Sequence, residues 1–229
     1  MNLLIFDLDG TLIDSKLDLV HSVNAARALM NLEPISDELV SSYVGNGAPV
    51  LMRRALGPDA SEADVARALE YFLGYYRAHM LDNTRLYPGV REALDRLLAG
   101  DAKMAVLTNK PVRISRAIVE GLGLAKHFFQ VYGGNSFEQK KPDPIGIETL
   151  LGESGAPRER TIMVGDSGVD IRTARNARVT ACGVSYGFQP ETFVEEPPDL
   201  VVDNMMQLAD YVLNHQELSN RHSNPSGTV

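Results

Sequence analysis

The chain contains 229 residues, carries a formal net charge of −8 and has one cysteine, Cys182. Its length suits one sizeable core, or a core with a small accessory domain. The acidic balance argues against nucleic acid and against an anionic membrane surface as partners. A single cysteine excludes an intrachain disulfide, and no apolar run approaches the roughly 18 residues that would span a bilayer. We therefore expect a cytoplasmic protein.

Short apolar runs alternate with amphipathic segments along the chain, which indicates a parallel β-sheet flanked by helices. Strands are predicted, the last three from weaker patterns, at Leu3–Phe6, Met104–Leu107, Ile162–Val164, Phe129–Tyr132, Thr180–Val184 and Leu200–Val202. The predicted fold is α/β, with a Rossmann-like parallel sheet as its core.

The first predicted strand leads directly into Asp7-Leu8-Asp9-Gly10-Thr11. Because side chains alternate along an extended segment, Asp7 and Asp9 fall on one side, and Gly10 permits the tight turn that follows. Two carboxylates aimed at one point repel each other unless a cation or a shared proton intervenes. Carboxylate oxygens suit Mg²⁺, so the motif indicates a metal site, with a solvated acidic turn as the alternative. The residues before it lack the basic flank of a signal peptide.

The segment of residues 15–83 contains no convincing strand and several amphipathic stretches. Its candidate helices are Leu17–Met30, a segment starting at Ser36, Pro49–Leu56, and a longer one opened by Ser61 and Asp64 in a capping-box pattern. We predict a small helical cap domain inserted after the first strand, joined by linkers at residues 14–17 and 81–87.

The second strand is followed by Thr108-Asn109 and then by a helix predicted over Val112–Gly121, with Pro111 at its first position. A hydroxyl group and backbone amides at the carboxyl end of a strand can donate to phosphate oxygens. The same dipeptide is also an ordinary strand-to-helix cap. Pro88 and Pro144 are predicted to open two further helices in the same way.

A lysine stands before a proline in Lys141-Pro142. Pro142 biases Lys141 toward extended geometry, which fixes the direction in which its side chain leaves the backbone. A lysine is a compact charge suited to a phosphoryl oxygen, and a solvated surface lysine is the alternative.

The third strand precedes Gly165-Asp166-Ser167-Gly168-Val169-Asp170. A helix beginning near Ser167 would place Asp166 and Asp170 one turn apart on the same side. Acidic residues at a helix start also complement the helix dipole. Neighbouring parallel strands lie about 4.8 Å apart, so the polar residues after three strands can surround one ligand at this edge of the sheet.

These four motifs, in this order, resemble those of the haloacid dehalogenase superfamily. The resemblance covers residues 1–14 and 84–215, which would form the catalytic core, and the insertion at 15–83 resembles the small cap of that superfamily. Within it, the chain looks most like the phosphoglycolate phosphatase group, because of Tyr43-Val44-Gly45-Asn46-Gly47 and Tyr87-Pro88-Gly89-Val90. The polar tail, residues 219–229, is expected to be disordered.

The resemblance implies a phosphatase mechanism in which Asp7 attacks phosphorus and forms an aspartyl-phosphate. Asp9 would protonate the leaving alkoxide and then activate the water that hydrolyses the intermediate. Thr108 and Lys141 would stabilise the oxygens of the transferring group.

The resemblance also implies a magnesium ion, held by Asp7, the backbone carbonyl of Asp9, and Asp166. Three further residues would support the site: Asp170, Asn109 and Ser167.

Other reactions on the same core stay open at this point. A departing halide needs no proton, whereas a departing alkoxide does, so Asp9 favours phosphoryl transfer over dehalogenation. A sugar-phosphate mutase resembling beta-phosphoglucomutase is an alternative, since the cap, rather than the core motifs, separates a mutase from a phosphatase. A phosphonate or pyrophosphate hydrolase and a catalytically silent binding module are further alternatives.

Substrate selection is expected to come from the cap. The backbone amides of Gly45, Asn46 and Gly47, or the side chains of Arg53 and Arg54, would meet a substrate carboxylate over the core, unless they form only a turn and a solvated helix face. The predicted partner is a small phosphorylated metabolite such as 2-phosphoglycolate, with no nucleic acid and no membrane, and the chain is expected to be a monomer or a homodimer.

Overall fold

The computed structural model describes residues 2–222, with side chains described as far as residue 215. The strands in this part of the chain are β1 (Leu3–Phe6), β2 (Ile13–Asp14), β3 (Arg85–Leu86), β4 (Lys103–Leu107), β5 (Gln130–Tyr132), β6 (Thr161–Gly165), β7 (Thr180–Val184) and β8 (Leu200–Val202). Six of them form one parallel sheet in the order β5-β4-β1-β6-β7-β8. The α/β fold is therefore confirmed.

Helices cover both faces of this sheet. Those described are α1 (Lys16–Leu29), α2 (Asp37–Tyr43), α3 (Ala48–Leu56), α4 (Glu62–His79), α5 (Val90–Ala99), α6 (Val112–Gly121), α7 (Ile145–Ser154), α8 (Gly168–Asn176) and α9 (Met205–His222). The central strand β1 is buried on both faces, because Leu4 and Phe6 belong to one apolar cluster while Leu3 and Ile5 belong to the other. A strand buried on both faces must be apolar throughout, which explains why its sequence shows no polar alternation.

The helix predicted over Val112–Gly121 is confirmed, whereas the prolines predicted as first helical residues lie one or two positions before the helices. Helix α5 begins at Val90 behind Gly89, whose φ of +76° ends the preceding turn, so Pro88 lies outside the helix. Pro111 and Pro144 are the N-cap residues of α6 and α7 rather than their first helical residues. Pro111 has an extended ψ of 132°, which no helical residue adopts.

Four helices, α1 to α4, lie between β2 and β3, where the sequence predicts a helical insertion. Strands β2 and β3 pair antiparallel, with Ile13 opposite Leu86, so the chain leaves and returns at one place. Two predicted helix starts are also present, since Ser36 accepts a hydrogen bond from the Leu39 amide and Ser61 accepts one from the Asp64 amide.

A buried carboxylate joins the two ends of this insertion. Asp18 in α1 accepts hydrogen bonds from the backbone amides of Asn83 and Thr84, at 3.0 and 2.8 Å. It also accepts from the Asn83 side-chain amide at 2.9 Å and from the Thr84 hydroxyl at 2.7 Å. Burial alone would raise the pKa of Asp18, but these hydrogen bonds outweigh it and the pKa is lowered. The charged side chain of Asp18 therefore links the start of the insertion to its end.

Helix α9 extends to His222, so residues 219–222 of the expected disordered tail are helical. The run Gln216-Glu217-Leu218 consists of good helix formers, through which a helix propagates readily. Residues 223–229 lie outside the described part of the chain. Among the described helices, none combines the length and the apolarity needed to cross a membrane.

Candidate active site

The residues that follow three neighbouring strands meet at one edge of the sheet. Asp7 follows β1, Thr108 follows β4, and Asp166 follows β6, and β1 pairs in register with both of the others. All three residues line a cavity of about 50 Å³ between the sheet edge and the inserted helices. Parallel strands direct their carboxyl ends to the same edge, which is why motifs more than 150 residues apart in sequence come together.

Three buried carboxylates form a cluster at this edge. Oxygens of Asp7, Asp166 and Asp170 lie within 4.8 Å of one another. Burial raises the pKa of Asp7 to about 6, in spite of the nearby charge of Lys141. Burial, followed by the charges of Asp170 and Asp7, raises the pKa of Asp166 well above its usual range. Like charges held together away from water call for a cation between them.

Lys141 supplies part of that positive charge. Its Nζ lies 2.9 Å from Asp7 Oδ1 and 2.6 Å from Asp170 Oδ1. Burial alone would lower the pKa of Lys141, but the charges of Asp170 and Asp7 outweigh it and the pKa is raised. The other oxygen of Asp170 accepts from the Ser167 hydroxyl at 2.7 Å and from its amide at 3.2 Å. Asp170 thus contacts both Lys141 and Ser167.

The donor set at the cluster fits a magnesium ion. Among the described residues, the contact of Asp7 Oδ1 is its ion pair with Lys141, and this buried oxygen has no other hydrogen-bond donor. A Cβ atom at Gly10 or at Gly187 would lie 2.1 Å from an atom of Asp166, so both glycines leave room for that carboxylate. Hard carboxylate oxygens with unused lone pairs are the ligands that Mg²⁺ prefers.

The count of buried charges agrees with this fit. Four carboxylates are buried around the cavity, Asp7, Asp9, Asp166 and Asp170, together with two lysines, Lys110 and Lys141. Four negative charges less two positive charges leave an excess of two, the charge that one divalent cation would neutralise.

Asp9 lies apart from this cluster, with partners of its own. Its carboxylate accepts from Lys110 Nζ at 2.8 and 2.9 Å and from the Ser15 hydroxyl at 2.5 Å. Lys110 Nζ also donates to the hydroxyl of Tyr76 in α4 at 2.7 Å. Burial would lower the pKa of Lys110, but Asp9 and the hydrogen bonds outweigh it and the pKa is raised. Asp9 is therefore joined, through a charged lysine, to an inserted helix.

Sequence reasoning missed Lys110, Tyr76 and Ser15. A signal for Lys110 was present, because Pro111 follows it just as Pro142 follows Lys141. The same bias toward extended geometry applies to both lysines.

Thr108 and Asn109 occupy different places in the site. Thr108 faces the cavity, and its hydroxyl accepts a hydrogen bond from the Lys110 amide at 3.2 Å. The Asn109 side chain donates to the carbonyl of Lys141 at 3.0 Å and to that of Gly45 at 2.9 Å. Asn109 therefore holds the lysine loop and the loop of the insertion together.

The loop Gly45-Asn46-Gly47 borders the cavity through its two glycines, and the Asn46 carbonyl accepts from Lys140 Nζ at 2.7 Å. Gln189 also holds this region, since its side-chain amide donates to the carbonyls of Ser41, Ser42 and Val44.

The two arginines expected to meet the substrate do not reach the cavity. Arg53 donates to the carbonyl of Ala60 at 2.8 Å and forms an ion pair with Glu62. Arg54 is likewise not among the described residues that line the cavity. Both belong to the last turn of α3, whose first turn is the end that approaches the sheet edge.

The family model described as haloacid dehalogenase-like hydrolase matches residues 4–184 of the chain. Over 209 residues the chain is 40% identical to a phosphoglycolate phosphatase of Agrobacterium fabrum, covering 90% of each protein. It is 37% identical over 219 residues to one of Vibrio parahaemolyticus, covering 93% of this chain and 96% of that protein. Among solved structures, the crystal structure of a predicted phosphoglycolate phosphatase from Haemophilus somnus 129pt superposes with a TM-score of 0.87 at 33% identity, covering 92% of this chain and 97% of that one.

Proposed function

The chain belongs to the haloacid dehalogenase-like hydrolase family, and we propose that it is a magnesium-dependent phosphatase in which Asp7 is the covalent nucleophile. The observation that carries the proposal is the buried cluster of Asp7, Asp166 and Asp170 beside Lys141 at the ends of parallel strands. Relatives named phosphoglycolate phosphatase cover most of the chain, which favours hydrolysis over the mutase alternative and 2-phosphoglycolate as the substrate.

In the first step, an oxygen of Asp7 attacks the phosphorus of a monoester. The bond between phosphorus and the ester oxygen breaks, and the phosphoryl group is left on Asp7. Asp9, on the same side of the extended segment, gives its proton to the departing alkoxide. Lys141, fixed by Asp170, and the Thr108 hydroxyl donate to the phosphoryl oxygens as their charge rises.

In the second step, Asp9 takes a proton from a water molecule, which attacks the phosphorus. The acyl phosphate bond breaks, inorganic phosphate leaves, and Asp7 returns to its free carboxylate. The Ser15 and Lys110 contacts hold the Asp9 carboxylate in place between the two steps.

Asp7, Asp166 and the backbone carbonyl of Asp9 are the proposed ligands of Mg²⁺. When bound, this cation offsets the repulsion between a nucleophilic carboxylate and a phosphate dianion. Asp170 contributes indirectly, by keeping Lys141 beside Asp7.

We assign residues 1–14 and 84–215 to a catalytic core and residues 15–83 to a cap that closes over it. The cavity of about 50 Å³ has room for a short leaving group, far below the several hundred Å³ of a drug-sized pocket. Closure would exclude water from the first step, with the linkers at 14–17 and 81–87 as hinges. We place the enzyme in the cytoplasm, acting on a small phosphorylated metabolite as a monomer or homodimer.

The test is phosphate release from p-nitrophenyl phosphate and from 2-phosphoglycolate, with Mg²⁺ or with EDTA. Asp7→Asn should lower turnover by about 10³-fold or more, because the amide is a poor nucleophile. Asp59→Asn, an exposed loop position, is the matched control and should behave as the wild type does. Turnover that survives Asp7→Asn or EDTA would contradict the proposal, and conversion of glucose 1-phosphate without phosphate release would favour a mutase.

A further inference from the structure

The cavity has one cationic side chain besides those of the phosphoryl site. Among the described residues that line it, Lys110 is the lysine or arginine present, and it is 7% exposed. The lining also includes apolar side chains, among them Leu19, Leu51 and Phe72. A charge in such surroundings acts strongly on any anion that enters, because the local dielectric constant is low.

The ammonium group of Lys110 is held by two side chains, Asp9 and Tyr76. An ammonium group has three N–H donors, which point in diverging directions. Nζ donates to both oxygens of Asp9, at 2.8 and 2.9 Å, and to the Tyr76 hydroxyl at 2.7 Å. Because the two oxygens of one carboxylate lie close together, two diverging N–H bonds cannot both meet them in a straight line. Besides these oxygens and the Tyr76 ring, whose centroid lies 4.5 Å from Nζ, the described part of the chain gives this ammonium group no further partner, so a ligand oxygen can join them.

Tyr76 offers a second donor beside it. Its oxygen accepts from Lys110 at 2.7 Å, so its own proton points elsewhere. The described residues provide no acceptor for this proton, although Tyr76 is 1% exposed and lines the cavity. A buried hydroxyl proton without a partner is costly, which indicates that a ligand atom completes the arrangement.

Lys110 and Tyr76 lie where the leaving group of the phosphate ester would be. Asp9 protonates the ester oxygen, so that oxygen must lie against Asp9, whose carboxylate is 2.8 Å from Lys110 Nζ. In the phosphate ester of a 2-hydroxy acid, one carbon separates the ester oxygen from the carboxylate. A carboxylate at that distance from Asp9 falls within reach of the Lys110 ammonium group and the Tyr76 hydroxyl.

We propose that Lys110 and Tyr76 form the subsite for the carboxylate of the leaving group, so that the enzyme selects phosphate esters of short 2-hydroxy acids. This inference rests on the proposed phosphatase function. It replaces the two cap arginines, which lie away from the cavity, with a lysine of the core and a tyrosine of α4.

The test compares 2-phosphoglycolate with 2-hydroxyethyl phosphate, which has the same length and a hydroxymethyl group in place of the carboxylate. The ratio of their kcat/KM values measures carboxylate recognition and is independent of any effect that both esters share. Lys110→Met should lower this ratio about tenfold or more, and Tyr76→Phe about three- to tenfold, since hydrogen bonds to charged groups are the stronger ones.

Tyr76→Phe keeps the ring and the contact between Lys110 and Asp9, so it tests the subsite even if Lys110→Met folds poorly. Lys126→Met removes an exposed lysine of the same charge and should leave the ratio unchanged. A ratio that stays constant in both subsite variants, with equal losses for both esters, would overturn the inference and show that Lys110 serves Asp9 alone.

A second readout separates this inference from the proposed function. With Mg²⁺ present, 2-phosphoglycolate should raise the Tm of the wild type more than 2-hydroxyethyl phosphate does, and Tyr76→Phe should reduce that difference. Equal Tm shifts in the wild type would overturn the subsite whether or not either ester is hydrolysed. Failure of phosphate release with a preserved Tm difference would instead refute the phosphatase proposal alone.

Discussion

Asp7 and Asp166 hold protons more tightly than exposed aspartates do. Burial raises the pKa of Asp7 to about 6, and burial with two neighbouring carboxylates raises that of Asp166 well above its usual range. A metal ligand must lose its proton before it binds, so Mg²⁺ competes with protons for both side chains. The protonated form dominates below the raised pKa, and the competition therefore becomes stronger as the pH falls.

We expect the apparent affinity for Mg²⁺ to fall at least about tenfold between pH 7 and pH 5, since Asp7, with a pKa of about 6, lowers the affinity tenfold over the pH unit below that value and Asp166 adds to the loss. Isothermal titration calorimetry at several pH values measures this, and buffers of different ionisation enthalpy report the protons released. Asp59→Asn should follow the wild-type curve. An affinity that is flat from pH 7 to pH 5 would show that neither carboxylate is a ligand.

The local motifs contained most of the residues of the site, because each follows a strand whose apolar run is readable from sequence. Asp7, Asp166 and Lys141 were predicted and do come together. The contact of Lys110 with Asp9 joins residues 101 positions apart, and no local pattern encodes such a pair. Arg53 appeared suitable by charge alone, but the direction of α3, set by packing, turns it away from the cavity.

At the scale of elements, Asp18 links the first turn of α1 to the returning chain. Its carboxylate receives hydrogen bonds from backbone and side chain of both Asn83 and Thr84. Thr84 is fully buried, so water cannot replace the carboxylate at its amide and hydroxyl. One charged side chain therefore ties the first helix of the insertion to the chain that returns from it.

Asp18→Ala should lower the free energy of unfolding by about 2–4 kcal/mol, because it leaves buried donors without an acceptor. Urea unfolding at pH 7 measures this. The neighbouring Asp82→Ala removes an exposed ion pair with His79 and should cost about 0.5 kcal/mol or less.

The sign of the pH dependence follows from the lowered pKa of Asp18. Its contribution is complete above the unfolded-state pKa of about 3.9 and is lost as the pH falls through the lower folded-state pKa. The difference between wild type and Asp18→Ala should therefore persist from pH 7 to about pH 5 and shrink below about pH 4. A difference in unfolding free energy that grows on acidification would show that the ionised form of Asp18 does not make this link.

Several strands and helix starts were predicted to the residue. The predicted bounds of β1, β7 and β8 agree with the structure, and for β1 and β7 burial explains why the apolar run is readable. Helix starts at proline were displaced because proline fits the N-cap and the position before it as well as the first turn. The hydrogen bonds of Asp18 were not predictable, since their donors lie 65 and 66 residues away in the sequence.

At the scale of the whole molecule, three side chains outside the insertion hold its loop at the cavity. Gln189 donates to carbonyls at the end of α2, Asn109 to that of Gly45, and Lys140 to that of Asn46. All three donors bind backbone carbonyls, so the contact depends on the path of the loop and is insensitive to its side chains.

Gln189→Ala should loosen this contact without disturbing the carboxylate cluster. We expect amides of residues 43–47 to exchange hydrogen faster and the KM for a small ester to rise about three- to tenfold, because hydrogen bonds of about 1 kcal/mol each are lost. Hydrogen exchange with mass spectrometry and steady-state kinetics measure the two effects. Glu191→Ala, exposed two residues further on, is the control.

Unchanged exchange at residues 43–47 in Gln189→Ala would show that other contacts hold the loop. The insertion itself was predictable, because a long stretch without strand patterns stands out between apolar runs. The order of the sheet and the docking of the loop were not, since both depend on contacts between distant segments.

The antiparallel pair of β2 and β3 places both ends of the insertion side by side, with Asp14 opposite Arg85. Whatever is spliced between those two residues starts and finishes at one point, so neither strand order nor register has to change to accommodate it. The inserted helices that cover the cavity can therefore change in evolution without a change at the sheet edge that carries the reactive residues. An engineer could likewise replace these helices with those of a relative, in order to transfer the substrate preference of that relative to this sheet.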